Sequence, residues 1–297
     1  MTREGLILKG VGGFYTVYGD GSFVVCKPRG VFRKEGIRPL PGDHVSFSIQ
    51  ADGLGRIDAI LPRRNRLKRP PVANVDQLVV IISQAIPQSD PYLIDRILAS
   101  AEMRAIDCLL LINKIDLADG RALQTIYERA GFPVHPVSAK TGDGLEAARA
   151  AFTGCVIALA GNSGVGKSSL LNALYPALAL PVGEVSIKGG RGRHTTRHVE
   201  LLPLGNGHFL ADTPGFSLFD ADPAELTADT ADTAFREFRP FLGACRFTGC
   251  RHERVDGCAV YEAVRQGLID PSRFDSYLKL LEEVKAYKPW EKKNPPG

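Results

Sequence analysis

Short stretches of alternating apolar and polar residues fill the first seventy positions of the chain. Turn-forming residues separate these stretches, as at Gly19–Gly21 and Pro41–Asp43, and this spacing is typical of short strands in a small barrel. The predicted strands are Gly5–Lys9, Phe14–Tyr18, Phe23–Cys26, His44–Ile49 and Arg56–Leu61. Five short strands in this length predict an OB-fold, a common platform for RNA, although a five-stranded barrel without a ligand would show the same pattern.

After Val75 the pattern changes to apolar runs that can be buried on both faces, and these runs alternate with helical patterns. Such alternation is typical of a parallel sheet covered by helices. The predicted strands here are Leu78–Ile82, Cys108–Ile112, Val134–Val137, Val156–Ala160 and Phe209–Ala211. The predicted helices are Pro91–Met103, Gly120–Ala130, Thr141–Phe152 and Ser168–Leu174.

The last part of the chain contains two further helical patterns, Pro223–Phe241 and Ser272–Lys288. An apolar stripe in the second pattern, formed by Leu278, Leu281 and Val284, indicates packing against a core. We therefore predict three domains: a β-barrel in residues 1–70, an α/β domain in 71–220 and a mainly helical domain in 221–297. The basic run 63–69, with the two prolines that follow it, is expected to link the first two domains.

Composition and charge narrow the class of protein. The 297 residues include 37 Lys and Arg against 33 Asp and Glu, and 44% are hydrophobic. No apolar run approaches the ~18 residues that span a bilayer, and the N-terminus lacks a signal-peptide pattern, so we expect a cytoplasmic protein with no membrane partner. The basic clusters at 63–69 and at Lys285, Lys288, Lys292 and Lys293 can neutralise phosphates, although a solvated linker or tail would also carry such charge.

A glycine-rich segment follows the predicted strand Val156–Ala160 and matches the pattern G-x-x-x-x-G-K-[ST]. A strand that turns through glycines into a helix directs backbone N–H groups at phosphate oxygens. In this pattern Lys167 reaches the β and γ phosphates, and the Ser168 hydroxyl binds Mg²⁺. The predicted nucleotide-binding residues of this loop are Gly161, Asn162, Ser163, Gly164, Val165, Gly166, Lys167, Ser168 and Ser169.

Two shorter motifs precede this loop and point to guanine. The strand Cys108–Ile112 runs into Asn113-Lys114-Ile115-Asp116, the pattern N-K-x-D. A carboxylate such as Asp116 accepts hydrogen bonds from the N1–H and exocyclic amine of guanine, and adenine has no donor at those positions. Asn113 would hold the loop and contact the base, and the Lys114 stem would cover the ring. One strand and one helix later, Ser138-Ala139-Lys140 predicts the second wall of the pocket, where the Ala139 N–H can donate to the guanine carbonyl.

A further motif follows the phosphate loop. Asp212-Thr213-Pro214-Gly215 reads D-x-x-G, in which Asp212 would hold Mg²⁺ through water and the Gly215 N–H would contact the γ-phosphate. Many GTPases carry a water-orienting Gln at the next position, whereas this chain has Phe216. An apolar side chain cannot orient water, so another residue must do so or intrinsic hydrolysis is slow. The Gly/Arg-rich stretch 189–197 contains hydroxyls that can complete the Mg²⁺ shell.

Three of the six cysteines lie close together near the C-terminus. Cys245, Cys250, His252 and Cys258 form C-x4-C-x-H-x5-C, and in a reducing compartment such crowding favours a metal over disulfides. Three thiolates and one imidazole suit tetrahedral Zn²⁺, and four protein ligands leave no open position. We therefore predict one structural zinc ion, with buried unliganded cysteines as the alternative.

The order of the nucleotide motifs is rotated, because the base-binding motifs come before the phosphate loop and D-x-x-G comes last. This order predicts a circularly permuted P-loop GTPase domain between an OB-fold and a zinc-binding domain. The whole arrangement resembles the RsgA (YjeQ/YloQ) family of small ribosomal subunit-dependent GTPases. The matching stretches are Ala73–Gln77, Gly192–Thr196 and Asp212–Phe216.

The resemblance implies a GTPase that binds the small ribosomal subunit and its rRNA, assists late assembly and is stimulated by the subunit. It implies GTP and GDP as ligands, catalytic roles for Lys167 and Thr196, and Thr196 as an Mg²⁺ ligand. It also implies that His194 acts on the attacking water, although an exposed histidine could instead contact rRNA. We expect a monomer.

Two other classes fit part of the pattern. One is a nucleotide-gated RNA-binding module in which hydrolysis is incidental. The other is a P-loop kinase with a small-molecule acceptor, which Asn113 and Asp116 disfavour because they are arranged to select a base.

Overall fold

The computed structural model describes residues 2–68, 70–180, 199–212 and 226–287. Its first part is a closed five-stranded barrel in which β1 pairs with both β2 and β4. Four of the five pairings around the barrel are antiparallel, and β3 pairs with β5 in parallel. The elements are β1 (Thr2–Val11), β2 (Phe14–Gly19), β3 (Ser22–Pro28), α1 (Gly30–Lys34), β4 (His44–Ile49) and β5 (Gly55–Ile60). The predicted OB-fold and its five strands are confirmed.

The segment predicted to link the barrel to the next domain contains a small hairpin of β6 (Arg66–Lys68) and β7 (Pro71–Ala73). Two of its basic side chains are structural. Arg63 donates to both carboxylate oxygens of the fully buried Asp43, at 2.6 and 2.8 Å, and Arg64 pairs with Asp76. Arg63 therefore fixes this segment to the barrel, and Arg64, although 64% exposed, pairs it with the start of the central domain.

The central sheet has the order β10-β9-β8-β11-β13-β12, and every pairing in it is parallel except that of β12 with β13. All residues of β8 and of β11 are buried, as their unbroken apolar runs predict. The strands are β8 (Gln77–Ser83), β9 (Asp107–Asn113), β10 (Val134–Pro136), β11 (Val156–Ala160), β12 (Glu200–Gly205) and β13 (His208–Asp212). The helices are α2 (Pro91–Glu102), α3 (Arg121–Arg129), α4 (Leu145–Ala150) and α5 (Lys167–Leu174), and the 3-10 helix Pro176–Leu178 follows α5.

Helix α4 is shorter than the predicted helix over residues 141–152. Gly142 and Gly144 adopt left-handed φ angles of 88° and 72°, which no helix interior accommodates. The backbone N–H of Ser138 donates to the Asp143 carbonyl at 3.0 Å, so the residues before α4 form a turn that closes on the end of β10.

The barrel and the central sheet are continuous, because β1 pairs with β12 at Lys9 and Glu200. Their side chains form an ion pair at 2.8 Å. Tyr18 of the barrel also packs edge-on against Phe209, with ring centroids 5.4 Å apart. The barrel is thus attached to the two strands that border the D-x-x-G motif.

The C-terminal part contains α6 (Ala259–Arg265) and α7 (Pro271–Ala286), and α7 confirms the predicted helix 272–288 as far as residue 286. The predicted helix 223–241 is wrong where it can be seen: 3-10 helices cover Ala231–Ala234 and Arg236–Phe241. Threonine hydroxyls there bond to nearby backbone, as Thr233 Oγ1 does to the Thr230 carbonyl at 2.7 Å, and such bonds compete with helix formation. Pro240 also lacks a backbone donor.

Buried ion pairs attach α7 to the central domain. Arg273 is 1% exposed and donates to Asp95 of α2 at 2.6 Å and to Glu237 at 2.7 Å. The Tyr127 hydroxyl completes the network by donating to Asp95 at 3.0 Å. Within the described residues no helix combines the length and the apolar character that crossing a bilayer requires.

Candidate functional site

Three sequence motifs meet at the carboxyl edge of the central sheet, and Asn113 joins them. Its Nδ2 donates to the Val165 carbonyl of the phosphate loop at 2.8 Å. Its Oδ1 accepts from the Ala139 backbone N–H at 3.1 Å. Because Asn113 is only 2% exposed, these bonds are shielded from water. The segments 113–116, 138–140 and 161–168 therefore border one crevice, although they are far apart in the chain.

A pocket of about 250 Å³ lies between these segments. Ser138 is fully buried and its Oγ donates to Asp116 Oδ1 at 2.7 Å, which orients the carboxylate. The pocket is lined by Asn113, Lys114, Asp116, Leu117, Ala139, Lys140, Gly166 and Ser169. Leu117 was not among the predicted residues. It directly follows the N-K-x-D motif, and 64% of its surface is exposed.

The Lys114 side chain connects the base-binding loop to two other loops. Its Nζ donates to the Gly164 carbonyl at 2.8 Å and to the Ile86 carbonyl at 3.1 Å. Lys114 itself has a left-handed φ of 66°, which turns the chain sharply after β9. The phosphate loop is therefore held by side chains of both Asn113 and Lys114.

The phosphate loop depends on glycines for its shape. Gly161 and Gly166 have φ angles of 140° and 90°. A Cβ at position 161 would lie 2.2 Å from the Ile81 carbonyl oxygen, and one at position 166 would lie 2.6 Å from Asn113 Nδ2. Neither approach leaves room for a side chain, so both glycines are required sterically.

Lys167 is the first residue of α5, and Ser168 and Ser169 follow in its first turn. Its Nζ donates to the Gly161 carbonyl at 2.7 Å and to the Asn162 carbonyl at 2.8 Å. Burial lowers the pKa of Lys167. The ammonium group thus lies inside the loop, bonded to carbonyls that phosphate oxygens can replace as partners.

Replacing Gly166 with Ala should weaken guanine nucleotide binding by roughly 10- to 100-fold. The added methyl group would push the Asn113 amide out of its position, and alanine would be strained at the positive φ of residue 166. Titration with a fluorescent GDP analogue measures this effect. Gly207→Ala is the matched control, since Gly207 also has a positive φ, 79°, but its Cβ position contacts nothing within 4 Å. Equal losses in both variants would mean that general destabilisation, and not the Asn113 contact, is responsible.

Of the predicted residues in and before the D-x-x-G motif, the structure describes the backbone of Asp212. Asp212 ends β13, and β13 runs parallel to β11, so its backbone reaches the same edge of the sheet as the phosphate loop. Residues His194, Thr196, Gly215 and Phe216 lie outside the described residues.

The second cluster of predicted residues lies in the C-terminal part. One ligand atom from each of Cys245, Cys250, His252 and Cys258 lies within 4.8 Å of the others, so this group could hold a metal ion. Backbone N–H groups point at the sulfurs: Ala259 donates to Cys245 Sγ at 3.3 Å and Tyr261 to Cys258 Sγ at 3.4 Å. All six cysteines of the chain are free thiols. The donor set and its convergence fit a tetrahedral zinc site.

Protonation of the cluster also depends on its surroundings. Burial is the main cause that raises the pKa of Cys258, and the neighbouring Cys245 raises it further. Crowded thiols of this kind ionise when a cation is bound between them. The arrangement is therefore suited to a closed, structural site.

Known proteins resemble this chain over almost its whole length. The family model described as RsgA GTPase matches residues 60–222, and the one described as RsgA N-terminal domain matches residues 4–57. The "Small ribosomal subunit biogenesis GTPase RsgA" of Geobacillus thermodenitrificans is 44% identical over 292 residues, which cover 96% of this chain and 99% of that protein. The protein of the same name from Halalkalibacterium halodurans is also 44% identical, over 95% of this chain and 97% of its own.

Solved structures agree with these matches. The crystal structure of YjeQ from Thermotoga maritima has a TM-score of 0.82 and 32% identity, and the match covers 97% of this chain and all of that one. The structure of YloQ, described as a circularly permuted GTPase, has a TM-score of 0.80 and 33% identity over 100% of this chain and 98% of its own. The motif order, the sheet order and these matches lead to one conclusion: the chain belongs to the RsgA GTPase family and is a circularly permuted GTP hydrolase.

Proposed function

We propose that this protein binds the small ribosomal subunit and assists its late assembly, with a GTPase activity that the subunit stimulates. The relatives that share 44% of their residues across the whole chain are named for small ribosomal subunit biogenesis. The observation that supports GTP binding is the link through Asn113 between the N-K-x-D segment, Ala139 and the phosphate loop.

In this proposal the Asp116 carboxylate accepts hydrogen bonds from N1–H and the 2-amino group of guanine. Asn113, the Lys114 stem, Ser138, Ala139 and Lys140 complete the base site. Backbone N–H groups of residues 161–169 and the Lys167 ammonium bind the phosphates. A bound GTP or GDP would therefore span the crevice, with its base at Asp116 and its phosphates at Lys167.

Mg²⁺, when bound by Ser168, Thr196 and Asp212, would neutralise charge on the β and γ phosphates. Lys167 adds a positive charge at the same place, and the Gly215 N–H contacts the γ-phosphate. Hydrolysis then depends on electrostatic positioning rather than on a covalent intermediate. We assign His194 to the attacking water, because Phe216 occupies the position where many GTPases have a glutamine.

The C-terminal cluster is proposed to hold one structural zinc ion through Cys245, Cys250, His252 and Cys258. Two features support this: the four ligand atoms converge, and backbone donors point at the sulfurs. Zinc binding would add its binding free energy to the folding of this region.

Binding to rRNA is proposed for the barrel, and the protein is proposed to act as a cytoplasmic monomer. Phe14 and Phe23 are 40% and 61% exposed on neighbouring strands, and Lys27 Nζ lies 4.6 Å from the centroid of the Phe14 ring. Exposed aromatic rings beside cations are the usual means by which OB-folds bind single-stranded nucleic acid.

The test of the proposed function is GTP turnover with and without purified small ribosomal subunits. We expect slow intrinsic turnover, because Phe216 cannot orient water, and a rise of at least about 10-fold when subunits are present. Large subunits at the same concentration are the control. A fast rate that is equal under all three conditions would contradict the proposal.

The alternative in which nucleotide only gates RNA binding makes a different prediction for His194→Ala. Under that alternative the variant would still support subunit assembly, although its hydrolysis is lost. Under the proposal it would bind subunits and GTP but would fail in both hydrolysis and assembly. Assembly assays with the variant therefore separate the two functions.

A further inference from the structure

The imidazole of His252 has different surroundings at its two nitrogens. Nδ1 faces the Cys/His cluster formed with Cys245, Cys250 and Cys258, and lies 3.3 Å from Cys258 Sγ and 3.5 Å from Cys245 Sγ. Nε2 faces away from the sulfurs and lies 3.3 Å from Oδ2 of Asp232. Asp232 precedes His252 by 20 residues and is not part of the cysteine-rich loop. One nitrogen thus faces the cysteine sulfurs and the other faces a carboxylate.

The pose of this histidine is fixed on every side. Its φ angle is 56°, in the left-handed region that non-glycine residues seldom adopt. Its side chain is 3% exposed. The rings of Phe238 and Tyr277 pack against it, each with a centroid separation of 6.4 Å. The imidazole therefore has little freedom to turn the other nitrogen toward the sulfurs.

The Asp232 carboxylate is itself unusual. Its Oδ1 is buried and has no hydrogen-bond partner among the described residues. A buried carboxylate oxygen without a partner is costly unless positive charge lies nearby. His252 is the group bonded to the other oxygen, and an imidazole bound to a cation carries part of the cation's charge. Among the described residues no group bonds to this oxygen, which fits a positive charge brought to His252 by a bound metal ion.

We propose that Asp232 is the positioning residue of the metal site. It accepts the Nε2–H of His252, so that Nδ1 stays unprotonated and directs its lone pair between the sulfurs. In a neutral imidazole only one nitrogen carries a proton, and the partner of that nitrogen decides which one is free to bind metal. This inference rests on the proposed zinc site, and it assigns a role to a residue outside the four ligands.

Asp232 also lies in a segment that packs against the GTPase domain. It lies in the 3-10 helix Ala231–Ala234, whose two buried alanines share a core with Ala99 of α2. Thr233 of the same helix contacts Met103 just after α2, with Oγ1 3.8 Å from Sδ. The hydrogen bond from His252 to Asp232 therefore connects the Cys/His cluster to the 3-10 helix Ala231–Ala234, which packs against α2 of the GTPase domain.

The test is zinc affinity, measured by competition with a chromophoric chelator, in the full chain and in Asp232→Ala and Asp232→Asn. We expect about a 10- to 100-fold loss for Asp232→Ala, and a smaller loss for Asp232→Asn because its amide oxygen can still accept the Nε2–H. The absorption bands of the Co²⁺-substituted protein should persist in both, because the four ligands are unchanged. Asp229→Asn is the matched control, since Asp229 lies three positions before Asp232, is 80% exposed and pairs with Arg251 rather than with His252.

A purely structural role would give a different result. It would lower the thermal stability of the metal-free chain and leave the zinc affinity unchanged, and that outcome would overturn the inference. If Asp232→Ala does not fold, the zinc affinity of Asp232→Asn is the test. A zinc affinity of Asp232→Asn equal to that of the unmodified chain would then contradict the role of Asp232. An unmodified chain that holds no zinc would instead contradict the proposed metal site itself.

Discussion

Replacing Lys167 with alanine should lower the rate of GTP hydrolysis by about 10²- to 10³-fold, the usual cost of removing one group that stabilises charge in a transition state. The Lys167 ammonium is the group that the phosphate loop encloses, bonded at 2.7 and 2.8 Å to two carbonyls of that loop. Alanine is a good helix former, so α5 should still begin at this position. The loss therefore reports on charge and not on the fold of the helix.

Single-turnover hydrolysis, with the protein in saturating excess over GTP, measures this effect, because saturation separates a slower chemical step from weaker binding. Lys34→Ala is the control, since it removes an exposed lysine from α1 of the barrel. A rate for Lys167→Ala within threefold of the unmodified protein would show that Lys167 does not act on the phosphates.

Replacing Asp116 with asparagine should reduce GTP affinity by about 10²- to 10⁴-fold, which corresponds to two lost hydrogen bonds to a charged acceptor. The same change should raise the affinity for xanthosine triphosphate. Xanthine has a carbonyl where guanine has its 2-amino group, so the asparagine amide can donate to it. Ser138 can still donate to the remaining side-chain oxygen, so the loop should keep its shape.

Equilibrium titration with both nucleotides measures the change in preference. Asp119→Asn is the matched control because Asp119 lies three positions later, is 60% exposed and pairs with Arg121. If Asp116→Asn bound GTP as the unmodified protein does, Asp116 could not be the residue that reads the base.

Most of the nucleotide crevice could be predicted from sequence because each of its motifs is a short contiguous segment at the end of an apolar strand. Both β8 and β11 are buried along their full length, so their runs were unambiguous. Asn113 bonds to Val165 and to Ala139, so it links the segments on either side of the pocket. Leu117 could not be predicted, because a single leucine after the motif forms no pattern that indicates a role in the pocket.

Other features depend on contacts between distant residues and could not be predicted. The basic run after the barrel looked solvated, but Arg63 is held by a buried Asp43 that lies 20 positions earlier. The predicted helix before the cysteine cluster failed because threonine hydroxyls and Pro240 break its hydrogen bonds locally. Asp232 has no motif at all, and only the fold places it against His252.

The roles of His194 and Thr196 came from family resemblance and stay predictions. Both residues lie outside the described residues, whereas the loops at 113–116, 138–140 and 161–168 contact one another through Asn113. These contacts place the proposed guanine pocket between the loops.

Competition binding tests that pocket most directly. A labelled GDP analogue bound to the unmodified protein is titrated with unlabelled GDP and, separately, with ADP. The account predicts that GDP displaces the label near its own dissociation constant, while ADP requires at least about a 10³-fold higher concentration, because adenine leaves Asp116 without donors. Displacement by ADP at the same concentration as GDP would contradict the claim that these loops form a guanine site.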